Sequence, residues 1–121
     1  MKEVQPIRNK KKIEEMKKIL LEQSYRNYML FVMGINIGLR VSDLLKIKVK
    51  DVKDKDHIVL TEQKTSKIKR FKINDQLKHE IDKYIENMND EEYLFQSRKG
   101  NNKPIGRSQA YRILNRAANE I

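Results

Sequence analysis

Gly38-Leu39-Arg40-Val41-Ser42-Asp43-Leu44-Leu45, running on into Lys46-Ile47-Lys48-Val49-Lys50-Asp51-Val52, decides how the rest of the chain is read. The residues before it, from Asn27 to Leu39, include no charged side chain. Such a run predicts a helix buried on nearly every side, and Gly38 is the residue that ends it. Arg40 then falls at the edge of the core, where an unpaired guanidinium is costly. Asp43, three residues on, is expected to orient it through a charge-assisted hydrogen bond. A fixed, permanently charged fork suits two non-bridging oxygens of a phosphate, although an Arg–Asp pair that merely holds the turn uses the same residues. Ser42 is read as the cap of a short helix through about Ile47.

Working outward, Asn9 is expected to cap a helix to about Gln23 with Ile13, Met16 and Leu20 on one face. The core helix then spans about Tyr25 to Asn36, with Tyr28, Val32 and Ile35 at helical spacing and Met29, Leu30, Phe31 and Met33 filling the other sides. His57–Glu62 and Lys69–Ile73 alternate, with Ile58 and Leu60 on one face of the first and Phe71 and Ile73 on one face of the second. Between them Gln63–Ile68 is polar and basic, so the pair predicts a β-hairpin with a cationic tip. Asn74 or Asp75 caps a helix to about Met88, striped by Leu77, Ile81, Tyr84 and Ile85. Tyr93–Gln96 reads as extended and Lys99–Asn102 as a turn. Ser108 starts a last helix with Ala110, Ile113, Leu114 and Ala117 inward. The expected fold class is α+β, mainly α, with a small antiparallel sheet.

The chain has 121 residues, a formal charge of +10 and no cysteine. One domain with a modest core is expected, without disulfides or a Cys-ligated zinc site. His57 and His79 are too few and too far apart in sequence for a convincing metal site. No apolar run is long enough for a membrane span or a signal peptide, so a cytoplasmic protein is expected. A pI near 9.8 makes a polyanion the leading partner. The charge is segregated. Residues 75–92 are acidic on balance, whereas 63–73 (Lys64, Lys67, Lys69, Arg70, Lys72) and 97–119 (Arg98, Lys99, Lys103, Arg107, Arg112, Arg116) contain no acid. The basic blocks lack the amphipathic Trp- or Phe-rich helix of a membrane-surface binder, and the interleaved aromatics of an RNA-stacking module are missing.

The Gly38–Val52 stretch resembles the first-arginine motif of the tyrosine recombinases, the family of phage integrases and chromosome-dimer resolvases. Gln63–Ile73 is similar to that family's hairpin, Lys-Thr-Gly-Lys-x-x-Arg-x-x-x-Ile/Leu, with Ser66 standing where glycine is usual. Tyr93–Ser97 and Ile105–Arg112 resemble the strand, turn and helix that follow it, and the likeness runs from about Ile7 to Glu120. It implies double-stranded DNA as partner and no cofactor, because a tyrosine would attack the phosphodiester and conserve its energy in a 3′-phosphotyrosyl link. By the same likeness Arg40 would stabilise the pentavalent phosphorus, Asp43 would hold Arg40, and Lys64 would protonate the leaving 5′ oxygen. Lys67, Lys69, Arg70, Arg107, Ser108, Gln109 and Arg112 are the candidate DNA contacts, the last four at a helix start suited to phosphate. The family's His-x-x-Arg box and nucleophilic tyrosine lie downstream of a helix like 108–119, so Tyr111 is on the wrong side to be the nucleophile. The chain is therefore expected to be part of a catalytic domain without the amino-terminal clamp domain, inactive and monomeric alone, and tetrameric on DNA as the intact enzyme. The rival expectation is a non-enzymatic regulator, with helices 25–36 and 42–47 as a helix-turn-helix.

Overall fold

A computed structural model describes residues 9–61 and 65–121. Helix α1 (Lys10–Gln23) starts at Asn9, whose side chain accepts from the Lys11 N–H. Its stripe buries Met16 and Leu20. Ser24 interrupts the helix in extended conformation and caps α2 (Tyr25–Ile37), its hydroxyl accepting from the Asn27 N–H. The α1–α2 pair is thus a helical hairpin made by a single capping residue.

Met29, Leu30, Val32 and Met33 of α2 are fully buried in the main core, with Phe31 in a smaller cluster against Met16, Leu20 and Ala117. Burial of that apolar area, at about 25 cal/mol per Å², makes α2 the spine of the molecule. Ile35, expected on its inward stripe, is 44% exposed. It borders an open apolar hollow of about 320 Å³ shared with Met16, Leu39 and Leu114, so its helical spacing leads to no covering partner among the described residues. Gly38 ends α2 at φ 74°, a conformation that costs other residues about 1–2 kcal/mol.

The next segment corrects the sequence reading. Helix α3 is only Val41–Leu44, and Arg40, in extended conformation, is its cap, with no side-chain cap bond from Ser42. The helix cannot run to Ile47, because the Ile47 carbonyl accepts from the Leu94 N–H and holds the chain extended there. A single turn, α4 (Val49–Val52), follows unforeseen, started by Asp51, whose carboxylate accepts from the Lys48 N–H at 2.9 Å.

Strands β1 (His57–Thr61) and β2 (Ile68–Lys72) pair antiparallel with Ile58 opposite Phe71 and Leu60 opposite Lys69. Ile58 and Ile73 are buried, as the alternation requires. Helix α5 (Asp75–Ile85) is capped by Asn74 and packs Leu77, Ile81 and Ile85 inward. It stops a turn before Met88, whose N–H closes onto the Ile85 carbonyl. The segment Tyr93–Gln96, expected to be extended, forms no strand: it bends at Leu94 and Phe95 between isolated bridges of Tyr93 to Lys48 and Gln96 to Pro104. Helix α6 (Arg107–Asn119) begins one residue earlier than expected, with Gly106 as cap, and buries Ala110 and Ala117. The architecture is mainly α with one small antiparallel sheet among the described residues. No described helix is long and apolar enough to cross a membrane.

Candidate nucleic-acid interface

Gly38, Leu39, Arg40 and Asp43 form one wall of a cleft of about 120 Å³, and Leu60, Thr61, Lys69 and Phe71 of the hairpin form the other. Two distant parts of the sequence therefore meet at Arg40. The reason lies in the strand pleat. Leu60 is paired with Lys69 and Ile58 with Phe71, so these four share the face turned toward the core and cleft. Val59, Arg70 and Lys72 share the opposite face, as Thr61 does by parity; Thr61 borders the cleft as the last residue of β1 and not through the pleat.

Arg40 itself is exposed rather than tucked against the core. The hydrogen bond expected from Asp43 is not formed. Residues three apart on a helix face one another, but Arg40 precedes the helix, so Asp43 reaches forward to Lys46 instead, at 3.9 Å. Arg40 is thus a cation without an ion pair among the described residues, on a backbone fixed by the turn; the Asp43 and Leu44 N–H groups both close onto its carbonyl at 3.0 Å.

The other candidates separate into groups. Lys64 lies outside the described residues. Lys69 lines the cleft, whereas Arg70 and Lys72 point away from it. Lys67 is exposed in the turn, its N–H donating to the Thr65 hydroxyl. On α6, Arg107 and Ser108 are exposed on the first turn. Gln109 and Arg112 face a different, wider hollow of about 510 Å³, together with Gln23, Asn27 and Arg116. Sequence reasoning passed over Thr61, and the period-2 alternation could have placed Lys69, rather than Arg70, on the cleft side.

The lysines between 46 and 53 are each paired with an acid, whereas Lys10, Lys11, Lys12 and Lys18 of α1 make no ion pair among the described residues. Glu91 bridges Lys48 at 3.2 Å and Lys50 at 2.9 Å, and Asp90 pairs with Lys53 at 3.4 Å. The two lysines hold the Glu91 carboxyl below its ordinary range. Among the described residues no cluster of His, Cys, Asp or Glu side chains could hold a metal ion.

Comparison with known proteins gives the chain that holds this cleft a family. The profile of the phage integrase family matches residues 8–121, and the chain belongs to that family. It is similar to the probable integrase/recombinase YoeC of Bacillus subtilis (strain 168), at 51% identity over 115 residues. The match takes in 95% of this chain and 63% of that protein's length.

Proposed function

We propose that this chain is the part of a site-specific DNA recombinase that grips the scissile phosphate. The observation that carries this reading is the cleft lined by Arg40 and Asp43 from one part of the chain and by Thr61 and Lys69 from another. Arg40 would take the non-bridging oxygens and stabilise charge as the phosphorus becomes pentavalent. Asp43 would turn from Lys46 toward Arg40 only once phosphate fixes the guanidinium. Lys64 would deliver a proton to the departing 5′ oxygen, a poor leaving group as an alkoxide. The attacking tyrosine and its His-x-x-Arg box would come from sequence beyond these residues, and the intact enzyme would work as a tetramer on DNA. Membership of the integrase family and the likeness to an integrase/recombinase support this reading. A helix-turn-helix regulator is disfavoured, because the recognition helix it requires is a four-residue turn.

Two measurements test it. This chain should bind duplex DNA with a log–log salt slope of about −4 to −5 if roughly five phosphates are neutralised, and salt-independent binding overturns the electrostatic argument. In the complete enzyme, Arg40→Ala should slow cleavage by about 10²–10³-fold while binding persists. Lys64→Ala should be rescued on a substrate whose bridging 5′ oxygen is sulfur, which leaves without a proton, and Arg40→Ala should not. Equal rescue of both variants removes Lys64 from the acid role.

A further inference from the structure

At the far end of α2 from Arg40 lies a second basic hollow, of about 340 Å³, that the phosphate-gripping cleft does not use. Arg26 and Arg98 line it, over a floor that includes Tyr84, Met88 and Leu94, and no carboxylate lines it. Arg26 is half-buried and rigidly held. Its Nε and Nη2 donate to the Asn27 Oδ1 at 3.0 and 2.9 Å, and its Nη1 donates to the Gln96 carbonyl at 2.9 Å. Asn27 is itself only 7% exposed and is fixed by donating to the Gln23 side chain. A guanidinium has five N–H groups, so two remain to bind something else. Burial, and then the neighbouring charge of Arg98, press Arg26 below its ordinary pKa. Two like charges lining one hollow beside an apolar floor, with no carboxylate in the lining, are relieved by an anion.

We propose that this hollow binds a deoxyribose-phosphate unit of the DNA backbone, with Arg26 and Arg98 on the phosphate and the Tyr84–Met88–Leu94 floor against the sugar. The proposal rests on the reading of the chain as a DNA-acting protein. Rising about 1.5 Å per residue, α2 sets the two sites about 18 Å apart, on the order of five backbone steps at ~3.4 Å each. The phosphate here is therefore a remote one, and it anchors the duplex without entering the reaction. Arg26 also ties the segment around Gln96 to α2, so occupancy of the hollow would stiffen the run that leads into α6.

The test uses this chain, a short duplex, and inorganic phosphate as the free-anion control. Arg98 is exposed and makes no hydrogen bond or ion pair among the described residues, so Arg98→Gln leaves the fold intact. It should reduce the salt slope by about one. The duplex should also shift the Arg26 and Arg98 Nε–H resonances together, at concentrations far below those at which inorganic phosphate does. Lys53→Gln removes a cation already paired with Asp90, and should leave the slope unchanged. An equal loss in both variants means diffuse charge and overturns the proposal. So does an unchanged slope in Arg98→Gln while the wild-type chain keeps its own slope, a result that leaves the recombinase reading standing. Phosphate alone shifting the resonances, or Arg98→Gln altering self-association instead of DNA affinity, likewise rejects a DNA site. If the wild-type chain binds duplex with no salt dependence, the broader reading fails and this one with it.

Discussion

Arg40 and Tyr84 stand at opposite extremes of how a backbone sets a side chain. Gly38 places Arg40 in the open, while the packing of α5 buries Tyr84, whose hydroxyl donates to the Leu94 carbonyl. Burial pushes the Tyr84 phenol up to about 12, against the opposing pull of the Arg26 charge. Tyr28, partly buried and donating to Glu80, and Tyr25 are raised as well. Because the folded pKa exceeds the unfolded value of about 10, the unfolded chain loses its proton first as pH rises. Stability present below pH ~10 should therefore decline up to pH ~12, by as much as about 2–3 kcal/mol for Tyr84. Denaturant titrations across that range should show the fall, and Tyr84→Phe should lessen it, Tyr28 and Tyr25 still contributing, at a cost of about 1 kcal/mol at neutral pH. At this scale the sequence was partly legible. Gly38 did reveal where α2 ends, but the uncharged run before it put Arg40 at the edge of the core, whereas the structure has it exposed. The partner of Asp43 was not legible either, because spacing in residues does not reveal that the arginine lies outside the helix.

In the hairpin, the same pleat that brings Lys69 to the cleft sends Arg70 and Lys72 away from it, so the cationic block divides between two faces. Alternation in the sequence contained that division, whereas a count of charges did not. The turn holds a second lesson. Ser66, where the family's pattern has glycine, adopts φ 58°, the left-handed region that glycine enters freely. Ser66→Gly should therefore stabilise the folded chain by about 1 kcal/mol, less the entropy that glycine adds to the unfolded state. Thermal or urea unfolding measures this, and a loss of stability would mean that the serine hydroxyl outweighs the strain. The helices were legible wherever caps and stripes agreed, as at Asn9, Gly38 and Asn74. They were not at α3 and α4, where pairing of residues 47–49 with residues 92–94 cuts the chain into single turns. A partner more than forty residues away leaves no local trace.

Over the described residues, acids at 90–91 absorb the lysines at 48, 50 and 53, and positive charge is left to the start of α1, the hairpin, the arginine hollow and α6. Composition foretold the segregation of charge, but only folding shows which lysines it removes. The two walls of the cleft also differ in how they are held. One hangs from α2, whose middle is buried on all sides, so its amides exchange with solvent deuterium only when the whole chain opens. The other belongs to a two-stranded ribbon, marginal alone, that is pinned to the core at Ile58 and Ile73 and ends toward Thr61 and Ile68, the latter 69% exposed. Deuterium uptake should be slow along Leu30–Met33 and at Ile58, and progressively faster toward Leu60 and Lys69, unless the ribbon is stapled from elsewhere. Arg40 thus rests on the slowest-opening part of the protein and Lys69 on one that breathes by itself. The jaw can open without loosening the anvil.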